Sequence, residues 1–174
     1  MKKLLFLIFP VIACTASAQP TVKMYAYSQE TSPGMIPKDV PDEDGNPVVG
    51  KKQQTINYYI FAAYSTSIKL SFLEVWINGK YYKIQSERVD STPVVMINYN
   101  IPDKPVKEVL VPATRLCVMS LAPIGEAGGT KTINSAWFRK TINQSALIVS
   151  YQYKGKKYYM SVKKIKPLLP VAGI

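Results

Sequence analysis

The sequence predicts an all-β fold: first an antiparallel β-sandwich of the immunoglobulin-like kind, and as the alternative a small β-barrel. Three observations predict it. Apolar and aromatic residues fall in short alternating runs separated by Pro, Gly and Asn, the pattern of strands and turns. Two of the separations, Asn78-Gly79 and Lys154-Gly155, carry hairpin turn chemistry. No stretch shows a long amphipathic helical repeat, and the 12 tyrosines are of a residue type that favours sheet faces. The cysteine–tryptophan–cysteine pattern of antibody domains is absent.

The chain has 174 residues, enough for one domain, and its 47% hydrophobic and 19% charged content is that of a globular protein. The start does not belong to that domain. Met1-Lys2-Lys3 precedes an apolar run from Leu4 to Ala13, and Ala16-Ser17-Ala18 is followed by Gln19. A charged start, a short apolar stretch and an Ala-x-Ala site read as an export signal over residues 1–18. This leaves a single all-β domain over 19–174. The run is too short to cross a bilayer as a helix, and no later stretch is long enough, so no transmembrane helix is expected in the mature chain. Val11-Ile12-Ala13-Cys14 offers a second processing route, lipidation at Cys14. Both routes place the protein in the periplasm or at the surface of a Gram-negative bacterium. Both also leave Cys117 without a disulfide partner in the chain. Its context, Leu116-Cys117-Val118-Met119, is that of a buried small hydrophobe.

Thr21 to Ser28 alternates as a first strand. Seven Pro and Gly residues between 32 and 50 make a long loop. Thr55 to Tyr64 is apolar on both faces, as a central strand covered on both sides should be. Asn78-Gly79 then fixes a register in which Ile77 faces Lys80, Trp76 faces Tyr81, Val75 faces Tyr82, Glu74 faces Lys83 and Leu73 faces Ile84. Leu73, Val75, Ile77, Tyr82 and Ile84 share the core face. Trp76, Tyr81, Glu74 and Lys83 share the other, where Trp76 is a candidate contact residue or packs beneath a second layer.

Val94–Tyr99, Val106–Val111 and Arg115–Leu121 are further short strands. Residues 122–134 read as a flexible loop, and Ser135–Ser145 as a short helix or irregular structure. Ala146–Tyr153 and Lys156–Val162 form a second hairpin with Leu147, Val149, Tyr151, Tyr153, Tyr158, Met160 and Val162 on one face. Pro167 to Ile174 is apolar and is expected to lie against the domain or a partner.

The formal net charge of +11 is unevenly placed. Residues 19–126 hold 11 basic and 11 acidic side chains, whereas residues 127–174 hold nine basic and none acidic. Such a field attracts anionic partners, in the envelope lipid head groups, lipopolysaccharide or acidic glycans. Nucleic acid is not expected there. Lys154, Lys156 and Lys157 at the second turn, with Tyr159, are the candidate contacts.

The chain has no histidine. This removes Ser-His-Asp and Cys-His catalysis and histidine-ligated metals. Asp42-Glu43-Asp44-Gly45-Asn46 is rich in oxygen ligands but lacks the spacing and distal glutamate of a calcium loop. Ser161-Val162-Lys163-Lys164 matches Ser-x-x-Lys in a strand context, where those two positions point apart. No catalytic, cofactor-binding or metal-binding residues, and no cofactor, are therefore assigned. The expected function is a non-catalytic interaction protein of the cell envelope, binding a protein partner through Trp76, Tyr81 and Tyr159. The alternative is binding of an anionic glycan or lipid through the basic C-terminal region.

Overall fold

A computed structural model describes residues 19–32, 55–98, 105–128 and 135–172. The expected signal peptide, the Asp42–Asn46 segment and most of the 32–50 loop lie outside these residues. Within them run β1 (Val22–Ser32), β2 (Thr55–Tyr64), β3 (Ser71–Ile77), β4 (Lys80–Arg88), β5 (Val94–Asn98), β6 (Val106–Val111), β7 (Cys117–Gly128), α1 (Ala136–Ile142), β8 (Leu147–Tyr153), β9 (Lys156–Val162), β10 (Lys166–Pro167) and β11 (Val171–Ala172). The fold is all-β with one short helix.

The ladder is one sheet in the order β10-β1-β2-β7-β4-β3-β8-β9, with β11 also on β1, and a separate β5–β6 pair. It does not divide into the two facing sheets that an immunoglobulin-like sandwich requires. Instead the sheet curls. Ala26 of β1 and Ile60 and Ala62 of β2 share one core cluster with Val149 and Tyr151 of β8, and Tyr158 and Met160 of β9 pack against it. Only residues 163–165 separate β9, at one end of the ladder, from β10, at the other. Four Cα steps reach at most about 14 Å, so the two ends of the sheet lie close together.

Both outer flanks of the curl are covered. Over β1, β2 and β7, the β5–β6 pair lays Leu110 and Val111 onto Tyr27, Phe61, Ala63 and Val118, joined by Leu168 of the tail. The Tyr27 hydroxyl donates to the Leu110 carbonyl at 2.8 Å. Over β3 and β8, α1 lays Phe138 onto Trp76 and Ile148. This explains β2: Ile60, Ala62 and Tyr64 face the interior, Phe61 and Ala63 face the β5–β6 cover, and all five are buried, as the two-sided apolar pattern predicts.

Both turns form as expected. Asn78 and Gly79 have φ of 48° and 80°, and Lys154 and Gly155 have 47° and 75°, the left-handed pairs that let a two-residue turn follow the strand twist. The first hairpin runs in register from Ile77–Lys80 to Glu74–Lys83. The second runs from Tyr153–Lys156 to Leu147–Val162, and all seven residues assigned to its inner face pack in the interior core.

Two expectations are corrected. Leu73 is not core: it is 38% exposed. The β3–β8 register passes from Phe72–Tyr151 to Glu74–Ser150, so Leu73 is the extra residue of a bulge and Phe72 takes the inward place. Residues 122–128 are strand, not loop. Ala122, Pro123 and Ile124 pair with Gln85, Ile84 and Lys83 of β4. Pairing of β7 with β2 stops at Ser120, so beyond it β7 is an edge, where Pro123 loses no ladder bond on that side. The 135–145 stretch resolves as helix α1, its N-terminus capped by the Ser135 hydroxyl, which accepts from the Phe138 N–H at 3.4 Å. The apolar tail lies on the domain, paired in parallel with β1.

Lys154 is a side chain in a conformation that suits Gly or Asn. Lys154→Asn is expected to raise stability by up to about 1 kcal/mol and Gly155→Val to lower it by about 1–2 kcal/mol, read from the urea midpoint. Burial raises the pKa of Tyr27, Tyr58 and Tyr151. Burial, reinforced by the Cys117 thiol, pushes Tyr64 up to about 12. A raised folded-state pKa stabilises fully below the unfolded value near 10 and is lost as pH climbs through the folded value. Stability should therefore hold to about pH 10 and fall steeply towards 12, with Tyr64→Phe flattening the fall in an alkaline melting series.

Candidate functional site

The first hairpin turn sends Trp76 and Tyr81 to the outer face of β3 and β4, with ring centroids 5.6 Å apart. Ile148 stands opposite Trp76 on β8. Adjacent residues of a helix point to different sides, and the helix begun at Ser135 therefore turns Phe138 inward and Trp137 outward. Phe138 meets Trp76 edge-on at 4.9 Å. Tyr159 of β9 lies 6.2 Å from Trp76 and 6.0 Å from Phe138. Trp137, 48% exposed, lies 5.9 Å from Tyr159.

Trp76, expected on the more polar face as a contact residue, is 1% exposed. The reason is α1: strand alternation places Trp76 on the outer face, and the helix then roofs it. Its indole N–H finds no acceptor among the described residues. Tyr81 and Tyr159 are half-buried at the margin of the same cluster. The accessible aromatic surface here is thus Trp137 with part of Tyr159, and Trp76 is their floor.

One step along the same face sits Glu74, 8% exposed. Its carboxylate accepts from Lys157 Nζ at 2.5 Å, from Ser150 Oγ at 3.4 Å and, at the limit of range, from the Tyr81 hydroxyl at 3.5 Å. Register places it opposite Lys83, as expected, and the charge partner two strands away is Lys157. Lys157 Nζ also lies 5.4 Å from the Tyr159 ring centroid, close enough for a cation–π contact.

The three lysines of the second turn do not share one surface. Lys157 is on the outer face, tied to Glu74. Lys156 is exposed and stands opposite the inward-facing Tyr153. Lys154 is in the turn, its Nζ 5.3 Å over the Tyr153 ring.

At the other end of the curl are two open depressions. One of about 460 Å³ is lined by Asn78, Asn143, Gln144 and Lys163 among others. One of about 330 Å³ is lined by Tyr58, Lys163 and Lys164 among others. Both include Asn78, Ala146 and Lys163. Lys163 and Lys164 have no acidic partner among the described residues, whereas Lys166 pairs with Glu108 at 2.7 Å, which raises its pKa by hydrogen bonding and charge.

Among the described residues no three His, Cys, Asp or Glu side chains are grouped to hold a metal. Ser161 lies on β9 and Lys164 beyond its end, so the helical geometry of Ser-x-x-Lys is not present. Cys117 is half-buried at the margin of the inner core. No described helix is long and apolar enough to cross a membrane.

Sequence reasoning missed Trp137. Its signal was present in Ser135-Ala136-Trp137-Phe138: a capping residue followed by adjacent aromatics must, in a helix, bury one and expose the other. The Glu74–Lys157 pair had no local signal.

Removing the cation from a largely buried carboxylate leaves that group unsatisfied. Lys157→Met should therefore cost about 2 kcal/mol, partly restored by adding Glu74→Gln in a double-mutant cycle. Lys156→Met should stay within about 0.5 kcal/mol of the parent. Equal losses at the two lysines in urea unfolding would show that Glu74 does not depend on Lys157.

Searches against protein-family models, curated proteins and solved structures find no match to this chain.

Proposed function

We propose that the protein is an exported, non-catalytic interaction module of the bacterial cell envelope, built as a small curled β-barrel, and that it docks a larger assembly through the face formed by α1 and β9. The observation that carries this reading is Trp137. A half-exposed tryptophan packed on Tyr159, with Lys157 beside it, stands on a rigid floor of Trp76, Phe138 and Ile148. Tryptophan and tyrosine on a rigid support lose little entropy on binding and dominate the energy of protein contacts. The export signal in the sequence and the absence of histidine support an envelope binding role over catalysis.

A second reading has its own observation. Lys163 and Lys164 line a depression beside Asn78, and both belong to the basic excess of residues 127–174. This favours an anionic glycan or lipid head group held there by charge.

One experiment separates the two. The tagged chain is recovered from detergent-solubilised envelopes as parent, Trp137→Ala and Lys163→Glu/Lys164→Glu, with melting temperatures recorded for each. The docking reading expects a stoichiometric protein partner that Trp137→Ala loses at unchanged melting temperature and that the charge reversal retains. Co-purifying lipid or glycan, lost on charge reversal or at high salt, would transfer the assignment to the second reading. A Trp137→Ala variant that keeps its protein partner removes the α1–β9 face from consideration.

A further inference from the structure

Three chain segments are tied together at the end of the curl where the first hairpin turns. The Asn78 N–H donates to the Ala146 carbonyl at 2.9 Å, and the Ala146 N–H donates to the Lys163 carbonyl at 3.3 Å. The Gln144 N–H donates to the Thr141 carbonyl at 3.0 Å. The β3–β4 turn, the α1–β8 connection and the chain leaving β9 are thus held together through their backbones. The two depressions described above sit on this frame and meet at Asn78, Ala146 and Lys163. Their volumes, about 460 and 330 Å³, each fall in the range of ligand sites. A site whose walls are fixed before binding loses little freedom when it is filled.

The polar side chains presented there are free. The amides of Asn78, Asn143 and Gln144 and the ammonium groups of Lys163 and Lys164 have no hydrogen-bond or ion-pair partner among the described residues. All five residues are exposed. Neither lining contains Asp, Glu or Arg. The first depression is the amide-rich one. The second sets Lys164 beside Ile56, Tyr58 and Ile165.

This set discriminates among anions. A side-chain amide offers two N–H donors and a carbonyl acceptor. A hydroxyl also donates and accepts, so neighbouring sugar hydroxyls can engage both ends of an amide. A phosphate group mainly accepts, and the guanidinium fork that matches it bidentately is missing from the lining. The lysines supply point charges for a carboxylate. The apolar side of the second depression supplies a surface for the C–H face of an adjoining sugar ring. Both depressions are open, which suits a chain that runs on past them; an acyl tail needs enclosure from water.

Resting on the second reading above, we infer that the joined depressions bind an acidic oligosaccharide, its uronate carboxylate on Lys163 and Lys164 and its hydroxyls on Asn78, Asn143 and Gln144. Trp137 takes no part in this site.

The test is calorimetric titration of the full chain with tetramers of galacturonate, mannuronate and glucuronate, with the same tetramers reduced to their neutral sugars, and with phosphatidylglycerol vesicles. At least one uronate tetramer should bind, and its neutral form should bind about tenfold more weakly or worse. Asn143→Ala/Gln144→Ala and Lys163→Glu/Lys164→Glu should each weaken the uronate about tenfold or more, at the parent melting temperature. Gln144→Glu, which keeps the shape of the side chain and adds a negative charge, should weaken it as well. Trp137→Ala should leave it unchanged. Failure of all three uronates to bind, or binding indifferent to Asn143 and Gln144, overturns the inference. Vesicle binding that depends on Lys163 and Lys164 alone, with no uronate bound, overturns it while leaving the charge-based second reading in place. Absence of binding to uronates and vesicles alike removes both.

Discussion

The left-handed backbone at Asn78 and Gly79 governs more of this molecule than any other local feature. A two-residue turn admits one register, and with a period of two that register assigns every side chain of β3 and β4 to a face. Val75, Ile77, Tyr82 and Ile84 go to the interior. Trp76, Tyr81 and Glu74 go outward, although all three are too apolar or too enclosed to stay in water. The rest of the architecture answers that outward set. The helix begun at Ser135 supplies Phe138 over Trp76, β8 supplies Ile148 and Ser150 alongside, and β9 supplies Tyr159 and Lys157. A one-residue slip would exchange the faces, turning Val75 and Ile77 towards the helix and Glu74 into the apolar interior.

The same logic on the opposite flank produces the β5–β6 cover. β2 is apolar on both faces because it is the strand shared between the interior and the second cluster. A curled sheet of this size has more apolar surface than its concave side can hide. Two short outer layers, one hairpin and one helix, cover the remainder. Their sizes match the need: α1 covers the ground around Trp76, and the lower part of that face is left to the polar set of Glu74, Ser150, Lys157 and Lys83.

What the sequence made legible was local. Both turns, the register beside Asn78-Gly79, the inner face of the second hairpin and the two-sided β2 follow from side-chain period and turn chemistry. What it hid was non-local. The bulge at Leu73 arises from the match between β3 and β8, which are joined through the β3–β4 turn and most of the chain between. Pro123 reads as a strand breaker until β7 is seen to have lost β2 as a neighbour. Alternation could place Trp76 on the outer face but not reveal the helix lying over it, since α1 comes from residues 60 positions later. The Glu74–Lys157 pair spans 83 residues, and the nearer Lys83, directly opposite, was the natural expectation. In the candidate docking surface, Tyr159 was readable as an outward tyrosine, and Trp137 only through its capping serine.

The basic excess takes on a different meaning once the strands are placed. Lys156 and Lys157 lie on β9, an edge strand, and Lys163 and Lys164 lie just beyond it. Lysines on an open edge repel a second like-charged edge and prevent uncontrolled pairing between copies of the chain. Arginine would serve this purpose less well, since its planar fork forms directed bidentate contacts where a solvated point charge is enough. Of the nine basic side chains after residue 126, Lys156 and Lys157 belong to the edge strand itself, whereas Lys163 and Lys164 line a depression at the other end of the curl and Lys166 is paired with Glu108.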